Sequence, residues 1–336
     1  MSRARSPSFA AQLIGWYEAN LRDLPWRRTR DPYRIWVSEI MLQQTRAQAV
    51  IPYYERFLQR FPTVAALARA AEQDVLACCS GLGYYSRARN LQKAARLVGD
   101  NLPRDYRAIR ELPGVGDYTA AAIASIAFEL PHAVLDGNVM RVIARVTNDD
   151  ADTGSPRTRA RFQQIAQQWL DTRRPGAFNQ ALMELGATIC LPRAPKCLLC
   201  PLVSRCEAHS QGRETGLPVK LRKAAPENID AMLVIVERRG RVLLWQRTAD
   251  SRRMPGFWEL PAPEQLPALQ APRSVGFFRH TITNHHYRFT VCTGRAARAP
   301  RPLRWIAIED LRGMALSTTS RKALKLAKVL SEEGVG

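Results

Sequence analysis

Four cysteines fall in one short stretch, CLPRAPKCLLCPLVSRC, as Cys190, Cys197, Cys200 and Cys206, spaced C-x6-C-x2-C-x5-C. Thiolates this close together can ligate one tetrahedral ion or one cubane. Zinc sites more often pair two C-x2-C units across a long spacer, and this stretch holds one such unit. It therefore reads as a [4Fe–4S] loop, with zinc as the alternative. In a reducing compartment such a group reads as metal ligands before disulfides. The remaining cysteines, Cys78, Cys79 and Cys292, read as packing residues.

Two carboxylates stand in equally specific settings. VSEIMLQQT (37–45) places Glu39 among apolar and amide side chains. A buried, unpaired carboxylate tends to hold a proton, and a carboxylic acid protonated near neutral pH serves as a general acid. LDGNVMRVIARV (135–146) opens with Asp136, Gly137 and Asn138 ahead of a helically spaced apolar pattern. Taken alone, Asp136 is a helix cap. ELPGVGDYTAAAIASIAF (111–128) gives a short helix at about 105–111, turned through Leu112-Pro113-Gly114-Val115-Gly116 into a longer one. Gly114 and Gly116 permit the sharp turn, and N–H groups at the new helix start suit a phosphate oxygen. This resembles the helix–hairpin–helix of DNA repair proteins, although a lone PGVG is also an ordinary Gly-capped corner.

These residues need a scaffold, and the composition indicates which. Residues 8–206 are dense in Ala, Leu, Arg and Gln with helical spacing, broken at Pro and Gly. Residues 207–228 are polar, basic and turn-rich, and read as a linker. From 229 to 336 strand-like runs follow: DAMLVIVERRG, RVLLWQRT, NHHYRFTVCTG and PLRWIAI. TTSRKALKLAKVLSEE then reads as an amphipathic helix capped by Thr318 or Thr319. The expected fold is multidomain: an all-α domain followed by a smaller α+β one.

The formal net charge is +20, with 32 basic against 21 acidic residues in 1–228 and 18 against 9 in 229–336. Both parts are suited to a polyanion, although an Arg-rich proteome gives the same balance. No apolar run is long enough to span a bilayer, and the N-terminus lacks an apolar leader core, so a cytoplasmic protein is expected.

In order, SEIMLQQT, GLGYYSRARN, LPGVGDYTA, LDGNV, FNQALMELGA and the four-cysteine loop resemble the adenine DNA glycosylases of the MutY family across nearly the whole chain. The resemblance implies a helix–hairpin–helix glycosylase domain with a [4Fe–4S] cluster, then a Nudix-like domain that reads 8-oxoguanine. It implies a monomer that acts on duplex DNA carrying adenine opposite 8-oxoguanine or guanine. Glu39 matches the general acid and Asp136 the carboxylate that faces the sugar, with Tyr118 and Asn138 orienting it. Trp26, Arg27 and Gln180 match the adenine pocket; Gln44, Leu82 and Tyr84 match residues that wedge or fill the stack. Related lyases such as endonuclease III carry Lys where this chain has Tyr118, so no strand nicking is implied.

In the second domain RMPGFWELP resembles a Nudix strand and turn, without the Glu-rich box that holds Mg²⁺. Where many relatives read Phe-Ser-His, this chain has Ile282-Thr283-Asn284 as its lesion-reading loop. Three other readings compete: a thymine or uracil mismatch glycosylase on the same fold, a non-enzymatic mismatch sensor, and a zinc-containing nucleic-acid-binding protein.

Overall fold

The structure is a computed structural model that describes residues 8–79, 82, 85–221, 227–248, 250–251, 254–282, 284–296 and 298–330. The chain divides into two compact units, Met1–Arg69 with Asn90–Arg222, and Ala70–Arg89 with Lys223–Gly336. Twelve helices precede the sheet among the described residues: α1 (Phe9–Asn20), α2 (Pro32–Leu42), α3 (Ala47–Arg60), α4 (Val64–Arg69), α5 (Glu72–Cys78), α6 (Tyr85–Val98), α7 (Tyr106–Arg110), α8 (Asp117–Phe128), α9 (Gly137–Val146), α10 (Pro156–Trp169), α11 (Pro175–Thr188) and α12 (Glu207–Ser210).

The first unit is helical. Asp31 starts α2: its Oδ1 accepts from the N–H of Tyr33 at 2.8 Å and of Arg34 at 3.2 Å, and Pro32 fits the first turn. Residues 35–41 of α2 are all buried, so this is a core helix rather than an amphipathic surface one. α8 is buried from Thr119 to Ile126, and its alanines let α2 and α11 approach it closely. α11 also packs on α9, where Gly186 is required: a Cβ there would lie 2.6 Å from the Asn138 Cβ. α7 and α8 form the expected hairpin, with Leu112 and Val115 buried and Gly114 at φ +79°.

In the second unit, Tyr85 and Arg89 are held to the C-terminal segment. Arg89 pairs with Glu72 at 2.7 Å and donates to the Pro255 carbonyl, and the Tyr85 and Phe257 rings lie 3.9 Å apart. The sheet comprises β1 (Glu227–Arg238), β2 (Arg241–Gln246), β3 (Trp258–Glu259), β4 (Gln270–Ile282), β5 (His285–Arg295) and β6 (Arg304–Ala307). Its order is β3-β2-β1-β5-β4, with β6 beside β2. β1 and β5 are parallel and the other pairs antiparallel.

β1 is buried on both faces in its centre. Leu233 and Ile235 join the core that includes Leu324, and Val234 and Val236 join Leu266 and Leu303 on the other side. That is why its sequence runs apolar without alternating. The last helix, α13 (Thr318–Leu326), is capped by Ser317, whose Oγ accepts from the Ser320 N–H at 3.1 Å. The cap is thus one residue before the Thr318–Thr319 pair that the sequence suggested. β4 lies where the sequence pattern suggests no strand. Among the described residues no helix is long and apolar enough to cross a membrane.

Candidate active site

A cleft of about 790 Å³ opens in the helical unit, within the range of small-molecule sites. Glu39 from α2, Tyr118 from α8, and Asp136 and Asn138 at the start of α9 all line it. Trp26 and Arg27, Gln44, and Gln180 of α11 line it too. Eight residues singled out from the sequence therefore share one cavity.

Glu39 is 4% exposed, and its Oε2 accepts from the Tyr118 hydroxyl at 3.0 Å. Burial pushes its pKa up to about 7; the Tyr118 bond and Arg27 oppose the rise, and Asp136 adds to it. Near neutral pH the carboxyl group can therefore hold a proton. The same hydroxyl lies 3.2 Å from the Met183 sulfur. Burial, together with Glu39 and Asp136, holds Tyr118 well above the ordinary phenol range, so it remains a neutral donor.

Asp136 is indeed the cap of α9: its Oδ1 accepts from the Val139 N–H at 2.7 Å. Its Oδ2 takes the Asn138 amide at 3.1 Å. Burial raises the Asp136 pKa, opposed by these bonds and by Arg141. Capping holds the carboxylate still and leaves it in the cleft, so the two readings of Asp136 are compatible. Arg141 extends the bracket, donating to Asn138 Oδ1 at 2.8 Å, Gly186 O at 2.7 Å and Cys190 O at 2.7 Å.

Arg22 and Glu184 also line the cleft, and sequence reasoning missed both. Glu184 is 1% exposed and binds Arg22 at 2.7 Å and Arg27 at 2.6 Å. Burial raises its pKa, but the two guanidinium bonds outweigh that and hold it at about 2. Only the partners' positions could have identified this group, because Glu184 lies 162 residues from Arg22. Gln44, also in the cleft lining, has φ +57°, a backbone conformation that non-glycine residues rarely adopt.

Other expected residues lie elsewhere. Gly114 and Gly116 sit in the exposed α7–α8 turn. Leu82, in a turn after α5, belongs to the second unit, as do Ile282 at the end of β4 and the exposed Asn284. Tyr84 and Thr283 fall outside the described residues.

Cys190, Cys197, Cys200 and Cys206 line one small cavity. Burial pushes Cys200 up to about 11, and the neighbouring cysteines add to the rise. Four thiolates that repel one another fit a cationic group between them. The buried Arg145 donates to Cys190 Sγ at 3.3 Å and to Leu191 O at 2.7 Å. His209 Nδ1 and Glu214 Oε2 are buried there without hydrogen-bond partners, and with Cys197 they form a second possible metal-ligand group. The cavity thus suits a metal group, and its four-sulfur lining suits a cluster.

Comparison with known proteins places this chain in a class. Residues 37–168 match the family described as HhH-GPD superfamily base excision DNA repair protein. A thermostable thymine-DNA glycosylase shares the fold of 60% of this chain and 95% of its own, with a TM-score of 0.56 and 31% identity. The Mus musculus adenine DNA glycosylase is 35% identical over 95% of this chain and 78% of its own length. The Homo sapiens one is 33% identical over 96% and 74%. The chain belongs to the adenine DNA glycosylase family, and is a DNA N-glycosylase, a hydrolase of base excision repair.

Proposed function

We propose that the protein removes adenine paired with 8-oxoguanine, or with guanine, from duplex DNA without nicking the strand. The observation that carries this reading is a buried Glu39, its acidity weakened by burial, in the same cleft as the capped Asp136. Adenine leaves poorly as an anion. Glu39 protonates N7, the glycosidic bond breaks, and the Asp136 carboxylate steadies the oxocarbenium-like sugar left behind. One acid on the leaving group and one anion at the sugar is glycosidase logic. Asn138 fixes Asp136, and the Tyr118 hydroxyl orients Glu39. Tyr118 offers no amine for a Schiff base, which supports a hydrolase without lyase activity.

The target base is flipped into the cleft, at a cost of a few kcal/mol that is least at a mismatch. Trp26, Arg27 and Gln180 receive it. Gln44, Leu82 and Tyr84 support the opened stack, and Gly114 and Gly116 offer backbone N–H groups to a phosphate. The second unit is read as Nudix-like, with Ile282, Thr283 and Asn284 facing the 8-oxoguanine. Cys190, Cys197, Cys200 and Cys206 would hold a [4Fe–4S] cluster. When bound, the cluster supplies cross-linking of its loop, and Arg141 joins that loop to the Asp136 bracket.

The test uses duplexes with adenine opposite 8-oxoguanine, adenine opposite guanine, thymine opposite guanine, and thymine glycol. Single-turnover excision is read after alkali. Fastest cleavage of the first duplex is expected; preference for thymine opposite guanine would instead favour the reading suggested by the thymine-DNA glycosylase likeness.

A further inference from the structure

Tyr17 is a polar residue in an apolar place. It is buried on α1 with Leu13 and Ile14, where α1 packs on α11, and is 6% exposed. Phenylalanine would fill the same space with nothing to satisfy, whereas a buried hydroxyl costs free energy unless it is bonded. Among the described residues the Tyr17 hydroxyl has one hydrogen-bond partner, Gln180 Oε1 of α11, at 3.3 Å. Burial raises the Tyr17 pKa, so the hydroxyl remains a neutral donor.

The direction of that bond is fixed by the other end of the amide. Gln180 Nε2 lies 3.3 Å from the Gly176 carbonyl, which can only accept. The amide oxygen is therefore at Tyr17, and the Tyr17 hydroxyl donates. One N–H and one lone pair of the amide remain for another molecule. Gln180 is in the cleft lining and Tyr17 is not. The Tyr17 ring makes a second contact: the Arg27 guanidinium lies 5.4 Å from its centre, within cation–π range. Tyr17 thus touches two of the three side chains assigned to the base, while the third, Trp26, is backed by the Tyr54 ring at 5.4 Å. Arg27 has further anchors in Glu184 and the Arg22 carbonyl. Among the described residues the Gln180 oxygen has Tyr17 alone.

We propose that Tyr17 is a positioning residue for base recognition: it holds the Gln180 amide in one orientation and backs Arg27, without touching the base itself. The inference rests on the reading that Gln180 and Arg27 receive the flipped base. Rotating an amide end for end exchanges its donor and its acceptor, so a base meets matched groups only in one of the two orientations. The hydroxyl settles that choice before the base arrives, and the base need not order the side chain itself.

The test is a double-mutant cycle on the full chain, read as single-turnover excision from whichever of the four duplexes is cleaved fastest. Tyr17→Phe keeps the ring beside Arg27 and removes only the hydroxyl. Its rate at saturating enzyme should fall about three- to tenfold. The enzyme concentration that gives half the maximal rate should not move, because duplex affinity comes chiefly from phosphate contacts. The pH–rate profile should keep its shape, since Glu39 is untouched. A merely structural role would lower the active fraction instead, giving a smaller amplitude at the wild-type rate. In a Gln180→Leu background, Tyr17→Phe should change the rate by less than about twofold, because the group it positions is gone. Should Tyr17→Phe fail to fold, Tyr17→Met, which fills the space with an adaptable apolar chain, serves in the same cycle. Equal losses with and without Gln180 overturn the proposal, as does a wild-type rate in the folded Tyr17→Phe protein. A wild-type rate in Gln180→Leu would overturn the reading of Gln180 as a base contact, and the proposal with it.

Discussion

Glu39 on α2 and Glu184 on α11 line the same cleft, and both are almost completely buried, yet their acidities diverge. One is raised to about 7 and the other held at about 2. Burial pushes both upward, so it cannot be the discriminating factor. Glu184 has two guanidinium donors on its oxygens, whereas Glu39 has one neutral phenol. A neutral donor compensates the lost hydration only in part, while two cations reverse its sign. The cleft thereby holds one glutamate able to donate a proton and another that fixes the surrounding arginines.

The largest test of that contrast is Glu39→Gln. It removes the proton donor without removing its volume, and the single-turnover rate should fall by roughly 10²–10⁴. A rate near wild type would show that the acid is elsewhere.

The same substitution should stabilise the protein at pH 8. The folded pKa of Glu39 is about 7 against an ordinary 4.5, so the folded state binds the extra proton. Stability is therefore lost as pH rises from 4.5 through 7, by up to about 3 kcal/mol. Urea unfolding at pH 4 and pH 8 should show the variant gaining on the wild type only at the higher pH.

Glu184→Gln should do the opposite, costing about 2 kcal/mol at pH 7 after allowance for the partly exposed Arg22. Its folded pKa is depressed, so the wild-type advantage is present above 4.5 and disappears as pH falls towards 2. A deficit that persists unchanged into acid would mean that packing, not charge, is what Glu184 supplies.

Tyr118→Phe is the finest probe. Its hydroxyl favours ionised Glu39, so removing it should move the falling limb of the pH–rate profile upward, by at most about one pH unit. Movement to lower pH would reverse the sign assigned to that bond.

The site was legible where a functional side chain sits in its own short string. Glu39, Tyr118, Asp136 and Asn138 are of this kind, and they reach one cleft because α2, α8 and α9 are all core elements of the helical unit. Arg22 stands in no such string, and Glu184, although within FNQALMELGA, gains its role only beside Arg22 and Arg27. Arg141 reads as one more polar residue of an amphipathic helix until its bonds to Asn138 and Cys190 are seen. β4 was missed for a related reason. It is an edge strand whose first six residues are all exposed, with Pro272 and two register shifts, so it lacks the alternation that reveals a half-buried strand.

By itself the sequence determined what depends on neighbours a few residues away. These are the helix starts at Asp31 and Asp136, the turn at Gly114, and the four thiols brought within one loop. Only the tertiary structure decided which glutamate keeps its proton and which is held ionised by two arginines. Electrostatic energy depends on separation in space and on access to water, and neither quantity is written in the spacing of residues along a chain.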